Sequence, residues 1–230
     1  NNKKDIVGII VPHAGYFFSG ACAAHAYKEI YNSKSKSFII IGPNHHGQKS
    51  GISNKDWQTP LGIVKTNQQL AKKISENTDL EIDDEPHVNE HSIEVQLPFL
   101  QKKLGSKFLL IPIILGTNSA EECEKIGKSL KPYFTSENLF IISTDFSHYP
   151  EYEDANKVDQ ITTQAICSNR ATELVRVLSE NKKLNIKNLA TSLCGWTSVL
   201  TLMYLTEKMK VSYVRIDYQN SGDTKPFADK

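Results

Sequence analysis

The sequence lacks the features that mark several common protein classes. Its 230 residues contain only four cysteines. They are far apart and form no CxxC pair, which argues against a disulfide framework and favours a reducing, cytoplasmic compartment. We see no signal peptide and no apolar run long enough to cross a membrane. The net charge of +1 gives no electrostatic reason to expect nucleic acid or a membrane surface as a partner.

The composition is that of an ordinary folded domain. Apolar residues make up 39% and charged residues 23% of the chain. A chain of this length can bury a core without disulfides or metal staples. We find no internal repeat and no interdomain linker, so we expect one domain over residues 1–230.

Short apolar segments rich in β-branched residues alternate with segments of helical spacing. Such segments are typical of strands buried on both faces of a sheet, and they lie at residues 6–11, 37–41, 108–115 and 139–143. The pattern predicts an α/β fold in which a mainly parallel sheet is flanked by helices. We also expect Ser19 to cap the first helix and residues 211–218 to form a late strand.

Histidines follow three of these four predicted strands. His13 comes after the first, the pair His45 and His46 after the second, and His148 after the fourth. In a parallel sheet these positions share the carboxyl edge, where ligands bind. A single loop histidine is usually a solvated or hydrogen-bonded residue, but three at one edge indicate a shared site.

Metal binding with a nearby proton carrier suits such a cluster. Neutral imidazole ligates iron, copper, zinc and nickel, and an unligated histidine moves protons near neutral pH. We expect one ligand and one packing residue from the pair His45 and His46. Asp145 either orients a ligand or proton carrier, or caps the turn after its strand.

Three further residues carry weaker patterns. His91 and Glu94 are separated by about one helical turn and can face the same side, but they do not form an HExxH motif. Cys194 precedes Gly195 at a predicted helix start. It is either a small buried hydrophobe or a reactive or ligating thiolate.

The order of the motifs resembles the Memo family. The matching segments are PHAGY at 12–16, GPNHH at 42–46, EHSIE at 90–94, STDFSH at 143–148 and CG at 194–195. Some prokaryotic members are the B component of the AmmeMemoRadiSam group. The resemblance implies a fold like that of the class III, LigB-type extradiol dioxygenases. It also implies that a family segment preceding residue 1 and a last carboxyl-terminal strand are absent from this sequence.

The resemblance implies roles for individual residues. His13, His45 and Cys194 would be the metal ligands, and Asp145 and His148 would be catalytic residues in the same cleft. The dioxygenases complete their metal site with a carboxylate, whereas this chain offers a thiol at that point. Ring cleavage of a catechol therefore does not follow from the fold.

We expect the cofactor to be Fe(II) or copper, with zinc as an alternative, and the cleft to hold a small molecule or a peptide. The expected cleft residues are Tyr16, His46, His91, Glu94 and Trp196. Three functions remain open on the sequence: a metal-dependent oxidoreductase, a zinc-type hydrolase and a non-catalytic binding module.

Overall fold

The computed structural model describes residues 6–105 and 107–224. These residues form a seven-stranded sheet. Its strands are β1 (Gly8–Val11), β2 (Ser37–Pro43), β3 (Gly51–Ile52), β4 (Trp57–Thr59), β5 (Gly62–Thr66), β6 (Leu109–Leu115) and β7 (Asn138–Ser143). The strand order is β1-β7-β2-β6-β5-β4, and neighbouring strands from β1 to β5 run parallel. The antiparallel additions are β4 on β5 and β3 on β6.

Helices cover both faces of this sheet. They are α1 (Tyr16–Glu29), α2 (Gln68–Asn77), α3 (Leu97–Leu104), α4 (Ala120–Ser129), α5 (Tyr152–Cys167), α6 (Ala171–Lys183) and α7 (Trp196–Thr206). Short 3-10 turns lie at Glu85–His87, Glu94–Gln96, Lys131–Tyr133 and Ser221–Asp223. The predicted α/β architecture with a mainly parallel sheet is confirmed. Among the described helices, none is both long and apolar enough to span a bilayer.

The strands β1, β2, β6 and β7 are largely apolar because each contributes to two cores. In β2, Phe38 and Ile40 pack into a core shared with α1 and α3, and Ile39 and Ile41 pack into the opposite core under α4 to α7. The exposed fraction of each of these three isoleucines is 0%. Successive side chains point to opposite faces of a strand, so a sheet covered on both faces has no polar side.

Two local predictions were wrong. Helix α1 begins at Tyr16 after Gly15, and the Ser19 hydroxyl instead donates to the carbonyl of Ala14 at 2.7 Å. Residues 211–218 form no strand. Within the described residues this segment does not pair with the edge strand β1. Together with β1 it lines a cavity of about 630 Å³.

Candidate metal centre

Three adjacent parallel strands place a polar residue at the same distance beyond their ends. Val11, the last residue of β1, pairs with Ser143, the last residue of β7, and His13 and Asp145 each follow two residues later. His45 likewise follows the end of β2 by two residues. Since β1, β7 and β2 are neighbours and parallel, these side chains meet at the carboxyl edge, where the sequence placed them.

His13 is the buried centre of the cluster, with 1% of its surface exposed. Its Nδ1 lies 2.9 Å from the hydroxyl oxygen of Ser143 at the end of β7. Its Nε2 faces the cleft, 3.2 Å from the sulfur of Cys194 and 3.8 Å from Oδ2 of Asp145. Burial lowers the pKa of His13 to about 4, although Asp145 opposes the shift. The ring is therefore neutral at pH 7, which is the form that binds metals.

Cys194 lies where the chain enters α7. Its sulfur accepts the backbone N–H of Asp145 at 3.1 Å. Burial, with a smaller contribution from the Asp145 carboxylate, raises the pKa of the thiol to about 12. A free thiol in this position is protonated at neutral pH, which disfavours a nucleophilic role, whereas a bound cation would deprotonate it.

Asp145 contacts both the loop that carries His13 and the sulfur of Cys194. Its Oδ1 accepts the backbone N–H groups of His13 at 2.8 Å and Ala14 at 3.1 Å. The carboxylate thus orients the loop that carries His13, while the backbone of Asp145 contacts the sulfur of Cys194. The two interpretations drawn from the sequence, in which Asp145 orients a ligand or proton carrier or caps a turn, stay predictions.

His45 is held by Glu90, a buried carboxylate whose side chain is 1% exposed. Glu90 accepts the backbone N–H of His45 at 2.7 Å and lies 3.0 Å from its Nδ1, and it also accepts the N–H of Ser92 at 2.8 Å. Burial works to raise the pKa of Glu90, but these hydrogen bonds hold it well below its ordinary value. An ionised carboxylate accepts only, so His45 carries its proton on Nδ1 and its Nε2 is available for a ligand.

His91 is a third histidine whose ring lies close to those of His13 and His45. The rings of His45 and His91 stack with centroids 5.0 Å apart, and the His91 ring lies 5.4 Å from that of His13. Within the described chain, two sets of ligand atoms lie close enough to share one ion. One set is His13, His45 and His91, and the other is His13, Asp145 and Cys194. His13 belongs to both, whereas His45 and Cys194, the other two predicted ligands, fall in different sets.

Two predicted site residues, His148 and His46, make contacts with other residues. His148 belongs to neither set of ligand atoms in the described residues. Its backbone N–H donates to the carbonyl of Thr191 at 3.0 Å, and its ring contacts Tyr149. His46 is exposed, and its backbone N–H donates to the Asn44 side chain.

Three cleft residues predicted from the sequence lie at the start of α1, in the 3-10 turn before α3 and at the start of α7. Tyr16, at the start of α1, is 51% exposed and its hydroxyl donates to the carbonyl of Val95 at 3.0 Å. Glu94 is exposed in the neighbouring 3-10 turn. Trp196, the first residue of α7, is partly buried and packs against the core. Their functional roles stay predictions.

Sequence reasoning missed Glu90, Ser143 and Gln96. Glu90 ends the most acidic stretch of the chain, which has the composition of a solvated loop. Ser143 and Gln96 are uncharged residues at the end of a strand and in a 3-10 turn. Two signs were usable: Glu90 and Ser143 begin the matching segments EHSIE and STDFSH, and an acid directly before a candidate ligand often orients an imidazole.

The fold and this site define a class of protein: a single α/β unit with histidine and cysteine side chains gathered at the carboxyl edge of a parallel sheet. Residues 1–230 match the sequence model of the family described as Memo-like protein. The chain belongs to the Memo family, as its motifs predicted.

Curated relatives from archaea agree with this assignment. A MEMO1 family protein of Nitrosopumilus maritimus is 34% identical over 228 residues, which cover 96% of this chain and 80% of the relative. A MEMO1 family protein of Thermoplasma acidophilum is also 34% identical, over 95% of this chain and 80% of the relative. One from Methanococcus maripaludis is 35% identical, over 99% and 82%.

A solved structure has a similar fold. An uncharacterized protein of Escherichia coli K12 superposes with a TM-score of 0.56 at 11% sequence identity, covering 80% of this chain and 81% of that one. This likeness confirms the α/β architecture.

Replacing Glu90 with glutamine tests the support of His45. We expect the free energy of unfolding to fall by about 1–3 kcal/mol, because buried donors lose a charged acceptor. The pKa of Glu90 is lowered on folding, so Glu90 stabilises the folded state at pH values above its ordinary pKa of 4.5. This stabilisation is lost as the pH falls. The Glu90 hydrogen bond raises the pKa of His45, so the pair stabilises the folded state at pH values below 6.5. This stabilisation is lost as the pH rises.

The loss should therefore be largest between about pH 4.5 and 6.5 when urea unfolding is followed across the pH range. Glu85→Gln is the matched control, since that side chain is 76% exposed. An equal loss at every pH would show that Glu90 acts through packing alone.

Gly195→Ala tests the close approach of α7 to β7. An added Cβ would lie 2.7 Å from both the Ser143 carbonyl oxygen and the Thr144 Cβ, so the backbone beside Cys194 must move. We expect unfolding by urea to show a loss of about 1–3 kcal/mol. Gly47→Ala, whose Cβ would meet nothing closer than 3.6 Å, should be nearly neutral. Equal stability of the two variants would contradict the packing described here.

Proposed function

We propose that this chain is a metal-dependent oxidoreductase of the Memo family. In this proposal His13, His45 and Cys194 bind one Fe(II) or copper ion, and the substrate is a small molecule or a peptide in the cleft. The observation that carries it is the position of His13. Its Nε2 lies 3.2 Å from the sulfur of Cys194, and its ring centroid lies 5.1 Å from that of His45.

The donor chemistry fits such an ion. Two imidazoles with occupied Nδ1 atoms offer Nε2 to the cleft, and Cys194 adds a polarisable sulfur. Imidazole and thiolate together suit copper, iron and zinc rather than magnesium or calcium. When bound, the ion would supply electron transfer and polarise an oxygen-containing ligand. The thiolate makes a redox-active ion the first candidate.

The other polar residues of the cleft have proposed roles as proton carriers. Asp145 keeps Oδ2 directed toward the cleft while Oδ1 accepts the two backbone N–H groups. That arrangement leaves one carboxylate oxygen to accept a proton from a substrate. His148 is the proposed acid or base at the border of the same loop.

Metal loading tests the proposal. Under anaerobic conditions the protein should take up one equivalent of Fe(II), and His13→Ala should lose uptake because both sets of ligand atoms contain His13. Cys194→Ser should weaken binding and, after loading with Cu(II), lose the thiolate-to-copper absorption. His25→Ala is the control, since that exposed histidine of α1 belongs to neither set of ligand atoms and should leave uptake unchanged. Full stoichiometric uptake by His13→Ala would contradict the proposal.

The same samples separate redox chemistry from hydrolysis. A bound ion that cycles reversibly between oxidation states in a spectroelectrochemical titration supports the oxidoreductase. If only zinc binds, with no redox cycling of loaded iron or copper, the zinc-type hydrolase is favoured instead.

Exposed aromatic residues favour a second candidate, a non-catalytic binding module. Tyr16 and Tyr149, which follow His13 and His148 in the chain, are 51% and 77% exposed, and an exposed aromatic surface often marks a contact with a partner. The metal-loading experiment decides between the two. Failure of the wild-type protein to bind iron, copper or zinc would favour this second function.

A further inference from the structure

We propose that Ser143 and Gln96 are positioning residues that lock His13 in a single tautomer, with its proton on Nδ1 and the lone pair of Nε2 directed into the cleft. This inference deepens the proposed function, and it rests on that function for its consequence in metal binding. The orientation of the ring itself depends on the hydrogen bonds alone.

Two backbone carbonyls fix the direction of every hydrogen bond in this buried network, because a carbonyl can only accept. Gln96 has a side-chain atom 2.9 Å from the Pro12 carbonyl oxygen, so that atom is the amide nitrogen, Nε2. Its Oε1 therefore faces the Tyr27 hydroxyl, which donates to it at 2.9 Å. Tyr27 thus holds the amide in one orientation.

The second carbonyl fixes the Ser143 hydroxyl. Ser143 lies against the carbonyl oxygen of Ser92 and donates its one hydrogen there. The same Gln96 Nε2 donates its other hydrogen to the Ser143 oxygen at 2.9 Å. Ser143 then has no hydrogen left to offer and can only accept from the group on its remaining side.

That remaining group is Nδ1 of His13, 2.9 Å away. Because the Ser143 oxygen can only accept from it, Nδ1 carries the proton and Nε2 carries the lone pair. The exposed fractions of His13, Ser143 and Gln96 are 1%, 0% and 0%, so water does not supply alternative partners. Reversing the tautomer would set two acceptors against each other, at a site where an unsatisfied buried group is costly.

The network gives Gln96, the last residue of the HSIEVQ segment, a role that is separate from those of His91 and Glu94. Gln96 stands on the 3-10 turn before α3, and Tyr27 stands on α1. The two helices on one face of the sheet therefore determine which nitrogen of His13 is presented at its edge. This is how groups behind a metal-binding histidine orient it and raise its affinity.

The test is imidazole ¹⁵N NMR of the metal-free protein, with His13 assigned by the His13→Ala variant. The protonated and unprotonated nitrogens of a neutral ring have well-separated shifts, so the tautomer is read directly. We expect Nδ1–H in the wild type, and a mixture of tautomers in Ser143→Ala and in Gln96→Leu. Ser198→Ala is the matched control, because that serine is equally buried and its hydroxyl has no partner in the described residues.

Anaerobic Fe(II) titration of the same variants gives the second readout. We expect Ser143→Ala to bind about 10- to 100-fold more weakly than the wild type and Ser198→Ala to bind unchanged. Ser143→Cys, which keeps a group able to accept from Nδ1, should recover part of the loss. A change due only to lost stability would not recover in this way.

The outcomes are distinguishable from failure of the proposed function. An Nε2–H tautomer in the metal-free wild type, or an unchanged Nδ1–H tautomer in both variants, would overturn the inference. If Ser143→Ala does not fold, the wild-type tautomer and Gln96→Leu still decide. If the variants change the tautomer as expected but the wild-type protein binds no iron, copper or zinc, the positioning role of Ser143 and Gln96 is supported and the metal-binding function is rejected.

Discussion

The candidate site depends on the register of β1 against β7. Pairing Val11 with Ser143 puts His13 beside Asp145, and the Asp145 carboxylate then accepts the backbone N–H groups of the His13 loop. A slip of one residue would turn the side chains of β1 to the opposite face and separate these partners. Because β1 and β7 are buried by apolar side chains on both faces, the two cores that stabilise the fold also fix the geometry of the site.

The site is built from two kinds of support. The ends of the parallel strands bring His13, His45 and Asp145 to one edge, and this needs only sheet topology. Buried polar residues then determine how the imidazoles are presented, with Glu90 behind His45 and Ser143 behind His13. Cys194 is positioned differently, by the point at which the chain enters α7. There Gly195 allows the backbone to lie close to Ser143 and Thr144.

The sequence predicted the parts that depend on short-range pattern. Runs of β-branched residues identified the buried strands, and histidines directly after them identified the edge of the sheet where the candidate ligands gather. The supporting residues could not be found in this way, because Ser143, Gln96 and Glu90 act through partners distant in the chain. The error at residues 211–218 has a related cause: alternation reports which side chains prefer burial, but a strand also needs a neighbour within hydrogen-bonding distance.

We propose that an imidazole of the strand-end cluster and the sulfur of Cys194 bind the same ion. X-ray absorption at the zinc K-edge, on protein loaded with one equivalent of zinc as a structural probe, tests it most directly. We expect imidazole scattering with nitrogen at about 2.0–2.1 Å and one sulfur at about 2.3 Å. A coordination shell without sulfur, or one without imidazole, would contradict it.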